Sequence, residues 1–430
     1  MLVRQFIAQY VGAQPFQPPA ERGRAAAAIA GALVRGELPQ DEEDDAEVAL
    51  AAVLDDPSPL VRAALARELS VACNAPYHII VALANDQADV AAPVLNRSPR
   101  LTDTDLIDCV AACEPASQIA VATRQRLSPA VAAALAEVGA REAVLALLRN
   151  PSAPAPAFSL RRMVERFGED GETREALLSR DDLPPAVRAQ LVDAAAVALS
   201  RFATQCGWLS EERARRAARE AREKAIVQIA ADASASASAN AASGSAGEDE
   251  APGALALARY LRAQGQLTAG LVLRALLSGE RGLLEAALAE LSGLPLARVC
   301  GLVRDGRGPG FAALFARAGM PAGLLPAFRA ALAAQADLGV EIGADPEAGA
   351  RLSRLMIERV LTSCERLDDS ALAPVLALLR RFDAEAARED ARERLGTAPA
   401  PRALRLAPGE KPRPMSVAEL RSLFRKALAA

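Results

Sequence analysis

Aromatic and β-branched residues are scarce in this sequence. Phe, Trp and Tyr together make up 3% of the 430 residues, although the apolar residues reach 51%. Alanine and leucine supply the excess, and both are good helix formers that allow helices to pack closely. Aromatic and β-branched residues are the usual material of β-strands. The composition therefore predicts an all-α protein that is long enough to bury a large core.

A strong charge of one sign and a long apolar run are also absent. The 50 basic and 54 acidic residues are interspersed and give a net charge of −4, whereas nucleic-acid binders usually carry a basic excess or stripe. No apolar run approaches the ~18 residues that indicate a membrane-spanning helix. The first residues lack the features of a secretory signal, and the six cysteines show no paired spacing. We therefore expect reduced thiols in a cytoplasm.

Residues that carry catalysis or bind metals are sparse. The one histidine, His78, is followed by apolar residues and is expected at a helix start beside the core. Cys109 and Cys113 lie four residues apart, but a zinc site needs a second pair, so we expect small buried side chains. The glycine-rich stretch 304–315 lacks the Gly-Lys-Ser/Thr ending and the preceding strand of a phosphate loop, and it indicates a turn between helices. We predict no enzyme, with no catalytic residue, no metal and no cofactor.

A repeated unit of two short helices is the clearest positive feature of the sequence. Its first helix has an apolar anchor that recurs every 25 to 29 residues, followed four positions later by a second residue of the same helical face. The anchors are Val61, Val90, Ile119 and Val144. The second position in the third copy is Thr123, which makes that copy the weakest. We expect the four segments to fold alike.

The second helix of the unit follows a shared start signal. The sequences LTDTDLIDCV, LSPAVAAALA and LPPAVRAQLV begin at Leu101, Leu127 and Leu183. Thr102 and Ser128 are suited to cap the first turn, and apolar residues then recur at helical spacing. The unit returns from Leu267, where LTAGLVLRALLSG aligns with LSPAVAAALAEVG.

Such a unit cannot bury its apolar face alone, so we expect the copies to stack. The predicted fold is an α-solenoid of short, HEAT-like helix pairs, with a second helical domain after a flexible linker. The predicted segments are 1–20, an N-terminal segment; 21–200, the repeat domain; 201–231, one long charged helix; 232–252, an Ala/Ser/Gly linker; 253–395, a C-terminal helical domain that is partly the same repeat; 396–414, a Pro-rich linker; and 415–430, an amphipathic helix.

The passage ADVAAPVLNRSPRLTDTDLIDCV, followed by LSPAVAAAL and LLRNPSAP, resembles the bacterial family called domain of unknown function 2336. That family is found chiefly in alphaproteobacteria, and the passage is also similar to HEAT-like and leucine-rich-variant repeats. The likeness covers about residues 55–200 and the later stretch that begins at Leu267. It implies an α-helical repeat fold in a bacterial cytoplasm, and it supplies no reaction and no catalytic residues.

Arginine and asparagine recur near the ends of the repeated helices. The residues at matching or adjacent repeat positions are Arg67, Asn96, Arg97, Arg124, Arg126, Arg149 and Asn150. In a stack they would form a polar, basic ladder, which is the candidate partner-binding surface. The alternative is that each side chain only satisfies unpaired carbonyl groups at a helix C-terminus.

Two classes of function stay open. We expect a non-catalytic protein–protein interaction scaffold or regulatory adaptor, whose concave solenoid holds an acidic or helical segment of another protein. The alternative is a nucleic-acid-binding helical repeat protein that uses the ladder and the arginines between Arg213 and Lys224. Those arginines alternate with glutamates, a pattern that otherwise indicates ion pairs along an exposed helix.

Overall fold

The computed structural model describes residues 18–243, 253–342, 349–365 and 373–397. Every regular element within those ranges is helical, which confirms the all-α prediction. None of the described helices is both long and apolar enough to cross a membrane.

Short helices make up the first half of the described chain. They are α1 (Pro19–Val34), α2 (Gln40–Val53), α3 (Pro59–Leu69), α4 (Tyr77–Ala84), α5 (Ala88–Arg97), α6 (Asp103–Ala112), α7 (Pro115–Ala122), α8 (Pro129–Val138), α9 (Arg141–Arg149), α10 (Ala157–Phe167) and α11 (Gly171–Leu178). Their starts follow the sequence signals. Thr102 forms a capping box with Asp105 at α6, and the Ser128 hydroxyl accepts a hydrogen bond from the Val131 amide at α8.

In the second half of the described chain, five short helices lie between two longer helices before them and three longer helices after them. They are α12 (Pro185–Gln205), α13 (Glu211–Ser243), α14 (Gly253–Ala263), α15 (Ala269–Leu277), α16 (Arg281–Ser292), α17 (Leu296–Arg304), α18 (Pro309–Arg317), α19 (Leu325–Ile342), α20 (Gly349–Glu365) and α21 (Ala373–Thr397). A 3₁₀ turn, Ala322–Leu324, precedes α19.

Alternate helices pack side by side in two layers. In one layer α1, α3, α5, α7, α9 and α11 follow each other, and in the other α6, α8, α10 and α12 do so. All four anchor segments are therefore helices of the same layer. A continuous core of apolar side chains joins the layers from Ala26 to Leu191. The predicted stacking of helix pairs into a solenoid is what the structure has.

The third anchor is displaced from the buried stripe. On α5 the buried stripe contains Val90 and Val94, but on α7 Ile119 is only half-buried and Thr123 is exposed. The buried face of α7 instead includes Gln118 and Val121. The sequence alignment is therefore off by one position in this copy, because a polar residue occupies a core position there.

Gln118 is tolerated in the core because its amide is fully used. Its Nε2 donates to the Val110 carbonyl at 2.8 Å, and its Oε1 accepts from the Ala140 amide at 2.7 Å. The side chain thus joins the end of α6 to the start of α9. Because the amide nitrogen and the amide oxygen both form hydrogen bonds, the cost of burying this polar group is offset.

The charged helix differs from its predicted bounds of 201–231. Residues up to Gln205 belong to α12, a turn follows, and α13 begins at Glu211 and continues to Ser243. Residues 232–243, predicted as the first part of the linker 232–252, are thus helical. The physical reason is packing: Ile226 and Ala230 on α13 are buried with Leu257 and Leu261 of α14 in a second core. The rest of that linker lies outside the described residues.

The chain divides into two compact units, one of 1–276 with 280–325 and one of 277–279 with 326–430. Helices α14, α16 and α18 thus belong to the same unit as the first solenoid, and the unit boundary does not coincide with the linker predicted at 232–252. Most of the predicted segments 1–20 and 396–414, and all of 415–430, lie outside the described residues.

Candidate functional site

Two members of the predicted ladder bind helix-end carbonyl groups. Arg124 is buried, and its guanidinium donates to the carbonyl oxygens of Leu95 and Ser98 at the end of α5. Asn150 donates through Nδ2 to the carbonyls of Ala122 (2.9 Å) and Arg124 (2.8 Å) at the end of α7. Both side chains reach about one repeat back along the chain, so they tie neighbouring repeats together.

Two further members are also engaged. Asn96 donates to the Ala120 carbonyl at 3.2 Å and to the Thr123 hydroxyl at 2.9 Å. Arg149 forms an ion pair with Glu172 at the surface. Capping therefore accounts for Asn96, Arg124 and Asn150, as the alternative interpretation of the ladder proposed.

The same contact, in which a side chain donates to carbonyl groups at the C-terminus of a helix in a neighbouring repeat, recurs at positions that the sequence did not single out. We call this contact a carbonyl clamp. Arg166 donates to the carbonyls of Ala136 and Gly139 at 2.8 Å each, and Arg317 donates to the Ser292 carbonyl at 3.0 Å. Again a guanidinium closes the C-terminus of a helix in a neighbouring repeat. The recurrence indicates that this arrangement holds the stack together.

Arg67, Arg97 and Arg126 remain available at the surface. All three are exposed, and within the described part of the chain none of them forms a hydrogen bond or an ion pair through its side chain. They are the members of the ladder that are free to contact a partner.

The candidate reactive residues lie apart from one another. His78 is at the start of α4, as expected, but its side chain is exposed and lies 3.4 Å from Glu47. Cys109 is buried, and burial, with Cys113 beside it, raises the pKa of its thiol to about 12, so it stays protonated. Residues 305–308 form the expected turn between α17 and α18. No cluster of three metal-ligating side chains occurs in the ranges that the structure describes.

The turn between α12 and α13 presents exposed aromatic side chains. Gly207 adopts a left-handed conformation (φ 69°), which glycine reaches at no steric cost. Its amide donates to the Thr204 carbonyl and the Trp208 amide to the Ala203 carbonyl, each at 3.0 Å, so α12 ends in a Schellman motif. The motif places Trp208 edge-on against Phe202, with ring centroids 5.4 Å apart.

This pair is uncovered. Trp208, the one tryptophan of the chain, is 70% exposed and Phe202 is 52% exposed. Leu199, one helical turn before Phe202, and Leu209 are exposed as well. We call Leu199, Phe202, Trp208 and Leu209 the hairpin tip. The sequence did not predict the hairpin tip, because a single tryptophan near a glycine does not show whether another part of the fold will cover that tryptophan.

A groove of about 910 Å³ lies between α12 and α13 and starts beside the hairpin tip. Arg215, Arg219 and Arg222 line it from α13, and Arg201 lines it from α12. Arg201 pairs with Glu169, and Arg215 pairs with Glu211, one turn earlier. The groove thus contains part of the arginine run that the sequence singled out, and it adds residues from α12 and α14 that only the fold brings close.

The floor of the groove is built around Asp193. Its Oδ2 accepts hydrogen bonds from the Tyr260 hydroxyl at 2.9 Å and from Gln266 Nε2 at 3.0 Å, and Arg222 Nε lies 3.7 Å from its Oδ1. Burial and the nearby carboxylate raise the pKa of Tyr260 well above its usual value, so its hydroxyl remains a donor at neutral pH. The floor is therefore a fixed polar surface, framed by guanidinium groups.

The structure defines an α-helical repeat protein whose helix pairs stack through shared carbonyl clamps. Within that class the chain belongs to the bacterial family named domain of unknown function 2336, described as an uncharacterised protein conserved in bacteria, which matches residues 90–368. No curated protein and no solved structure matches the chain.

Proposed function

We propose that this protein is a non-catalytic interaction scaffold that holds a segment of another protein at the hairpin tip. The observation that carries the proposal is the exposure of Trp208 on a similarly exposed Phe202. Large aromatic side chains bury much area at little entropic cost and dominate the binding energy of protein interfaces. Exposed apolar clusters of this kind typically mark contact sites.

Charge defines the chemistry of the partner. The first nine residues of α13, 211–219, directly follow the hairpin tip and contain four arginines against two glutamates. The N-terminus of a helix adds partial positive charge. We therefore expect the partner segment to carry a large apolar side chain, which packs on Trp208, flanked by acidic residues.

A further observation on the repeats supports an acidic partner. Arg67, Arg97 and Arg126 offer additional unpaired positive charge on the repeats, which suits an acidic partner. We also propose a cytoplasmic location, because the six cysteines form no disulfide and two of them, Cys73 and Cys206, are exposed.

Site-specific photo-crosslinking in the native cells tests the proposal. Benzoylphenylalanine would replace Trp208 in one strain and Leu178 in another, because Leu178 is a matched apolar residue with 61% exposure on α11. We expect position 208 to yield one dominant protein adduct that position 178 does not yield. The adduct should map to an acidic segment with an apolar anchor.

Two results would oppose the scaffold proposal. One is an absence of any protein adduct at position 208, and the other is the same set of adducts from both positions. If the adduct is real, Trp208→Ala should weaken the purified complex by at least about tenfold, which is typical of an interface hot spot.

Nucleic-acid binding is a second candidate, supported by the three unpaired arginines of the ladder. It predicts an affinity for DNA or RNA that falls steeply with salt and that Arg67→Gln, Arg97→Gln and Arg126→Gln each weaken. The net charge of −4 favours the protein partner.

A further inference from the structure

The groove between α12 and α13 has a row of arginines along one wall. Arg215, Arg219 and Arg222 stand at positions i, i+4 and i+7 of α13, so their side chains project from the same helical face. With Arg201 from the opposite wall, the lining has four guanidinium groups against the two carboxylates of Asp193 and Glu211. The interior is thus net positive in a chain that is acidic overall.

These guanidinium groups differ in their availability. Arg219 is exposed to the groove, and no hydrogen bond or ion pair engages its side chain among the described residues. Arg222 lies deeper, with 29% of its side chain exposed, and its Nε forms an ion pair with Asp193 Oδ1 at 3.7 Å, which is too long for a hydrogen bond. Arg219 and Arg222 are therefore the two groups best placed to bind an anion.

The floor of the groove is polar. Asp193 Oδ1, Gln190 Oε1 and Gln266 Oε1 are buried and accept no hydrogen bond. Since the protein itself covers these oxygens, they make the floor polar but do not form its contact surface. The volume of about 910 Å³ is in the range of small-molecule sites.

We propose that this groove binds a small phosphorylated metabolite. Its phosphate groups would lie on Arg219 and Arg222, because the planar guanidinium fork matches phosphate oxygens in bidentate geometry. Its remaining polar groups would lie over the polar floor, which Asp193, Gln190 and Gln266 line. This site does not include the hairpin tip, although its Arg215 and Arg219 also belong to the basic stretch 211–219 that follows the tip.

Calorimetric titration of the full chain tests the site with three probes, which are pyrophosphate, ATP and adenosine. We expect pyrophosphate and ATP to bind, ATP more tightly, and adenosine to bind weakly or not at all. Arg219→Gln and Arg222→Gln should each lower the affinity for ATP by at least about tenfold, the usual effect of losing a charge-assisted hydrogen bond. Arg213→Gln is the matched control, because Arg213 is an exposed, unpaired arginine of the same helix that does not line the groove.

Three outcomes would overturn the proposal. The first is that neither ATP nor pyrophosphate produces heat at millimolar concentration. The second is that Arg213→Gln weakens ATP binding as much as Arg219→Gln does. The third is that single-stranded nucleic acid binds far more tightly than ATP through the same arginines. Trp208→Ala should leave ATP binding unchanged, so the metabolite site and the scaffold proposal can fail separately. Unchanged thermal melting of the Arg219→Gln protein would show that lost binding is not lost folding.

Discussion

Arg124 and Asn150 join neighbouring repeats through backbone carbonyls rather than through opposite charges. Burial lowers the pKa of the Arg124 guanidinium, yet arginine stays charged at neutral pH. Its Nη1 donates to the Leu95 carbonyl and its Nη2 to the Ser98 carbonyl, whereas its buried Nε has no hydrogen-bond partner. The last carbonyls of a helix lack partners within it, so a side chain from the next repeat can satisfy them. At the residue scale, three members of the ladder, Asn96, Arg124 and Asn150, thus hold neighbouring repeats together.

Replacing Arg124 should therefore cost stability. Arg124→Met keeps the apolar stem but leaves two carbonyls without donors, and we expect a loss of about 1–3 kcal/mol in the free energy of unfolding. Urea denaturation measures it. Arg126→Met is the control, because that side chain is exposed and unpaired, and its effect should stay within about 0.5 kcal/mol. Equal losses in the free energy of unfolding for the two variants would contradict a stabilising role for the Arg124 hydrogen bonds.

Asp86 makes a pH-dependent contribution to the free energy of unfolding. Arg62 on α3 donates to both carboxylate oxygens, at 2.5 and 3.0 Å, and this holds the pKa of Asp86 below its ordinary value of 3.8. A carboxyl whose pKa is lower in the folded state stabilises the fold above its unfolded pKa, and this contribution disappears as the pH falls through the folded pKa.

We therefore expect Asp86→Asn to lower the free energy of unfolding by about 1–3 kcal/mol at pH 7. The difference from the wild type should stay constant down to about pH 4 and narrow below it. Urea titrations between pH 3 and pH 8 would show this. A difference that grows as the pH falls would contradict the assigned ion pair.

At the scale of elements, α13 shows where a compositional argument fails. Residues 232–243 are small and polar, a composition typical of linkers, but alanine is also the best helix former. Packing decides between the two, because Ile226, Ile229 and Ala230 anchor the preceding turns in a core. The helix then continues far enough for Ser234 to bond Glu280 at 2.6 Å.

A proline substitution distinguishes a helix from a linker at residues 232–243. Ala235→Pro removes a helical hydrogen bond and clashes with the preceding turn, so it should cost about 3 kcal/mol and expose the end of α13 to amide exchange. Ala235→Ser should cost only about 0.5 kcal/mol. Hydrogen exchange across 226–243 is the measurement, and indistinguishable variants would mean that the segment is a linker after all.

The sequence predicted the repeated elements well for a physical reason. Helical spacing and caps such as Thr102 and Ser128 are local signals, and they place helices correctly wherever apolar residues fill the buried face. The register of α7 escaped prediction because Gln118 occupies a core position, and only its partners Val110 and Ala140 make that acceptable.

The candidate site was harder to predict than the elements. The sequence pointed to the arginines of α13, but not to the groove, because Asp193, Arg222 and Tyr260 are far apart in the chain and meet only through packing. The hairpin tip gave no signal either. Gly207 and Trp208 predict a helix end, and whether another element covers the tryptophan is decided elsewhere in the fold.

At the scale of the whole molecule, the family match and the compact units have different bounds. The match at residues 90–368 begins inside the first solenoid and includes parts of both units. Helices α12 and α13, with the hairpin tip and the groove, lie inside the matched region.

The scaffold proposal depends on the hairpin tip being free in the intact chain. Trp208 reports on this directly, since its fluorescence is the only tryptophan signal that the protein has. The full-length protein should emit near the wavelength of tryptophan in water, and acrylamide should quench it almost as efficiently as it quenches the free amino acid. A blue-shifted emission that resists acrylamide would show that the tip is already covered, and the account of its function would be wrong.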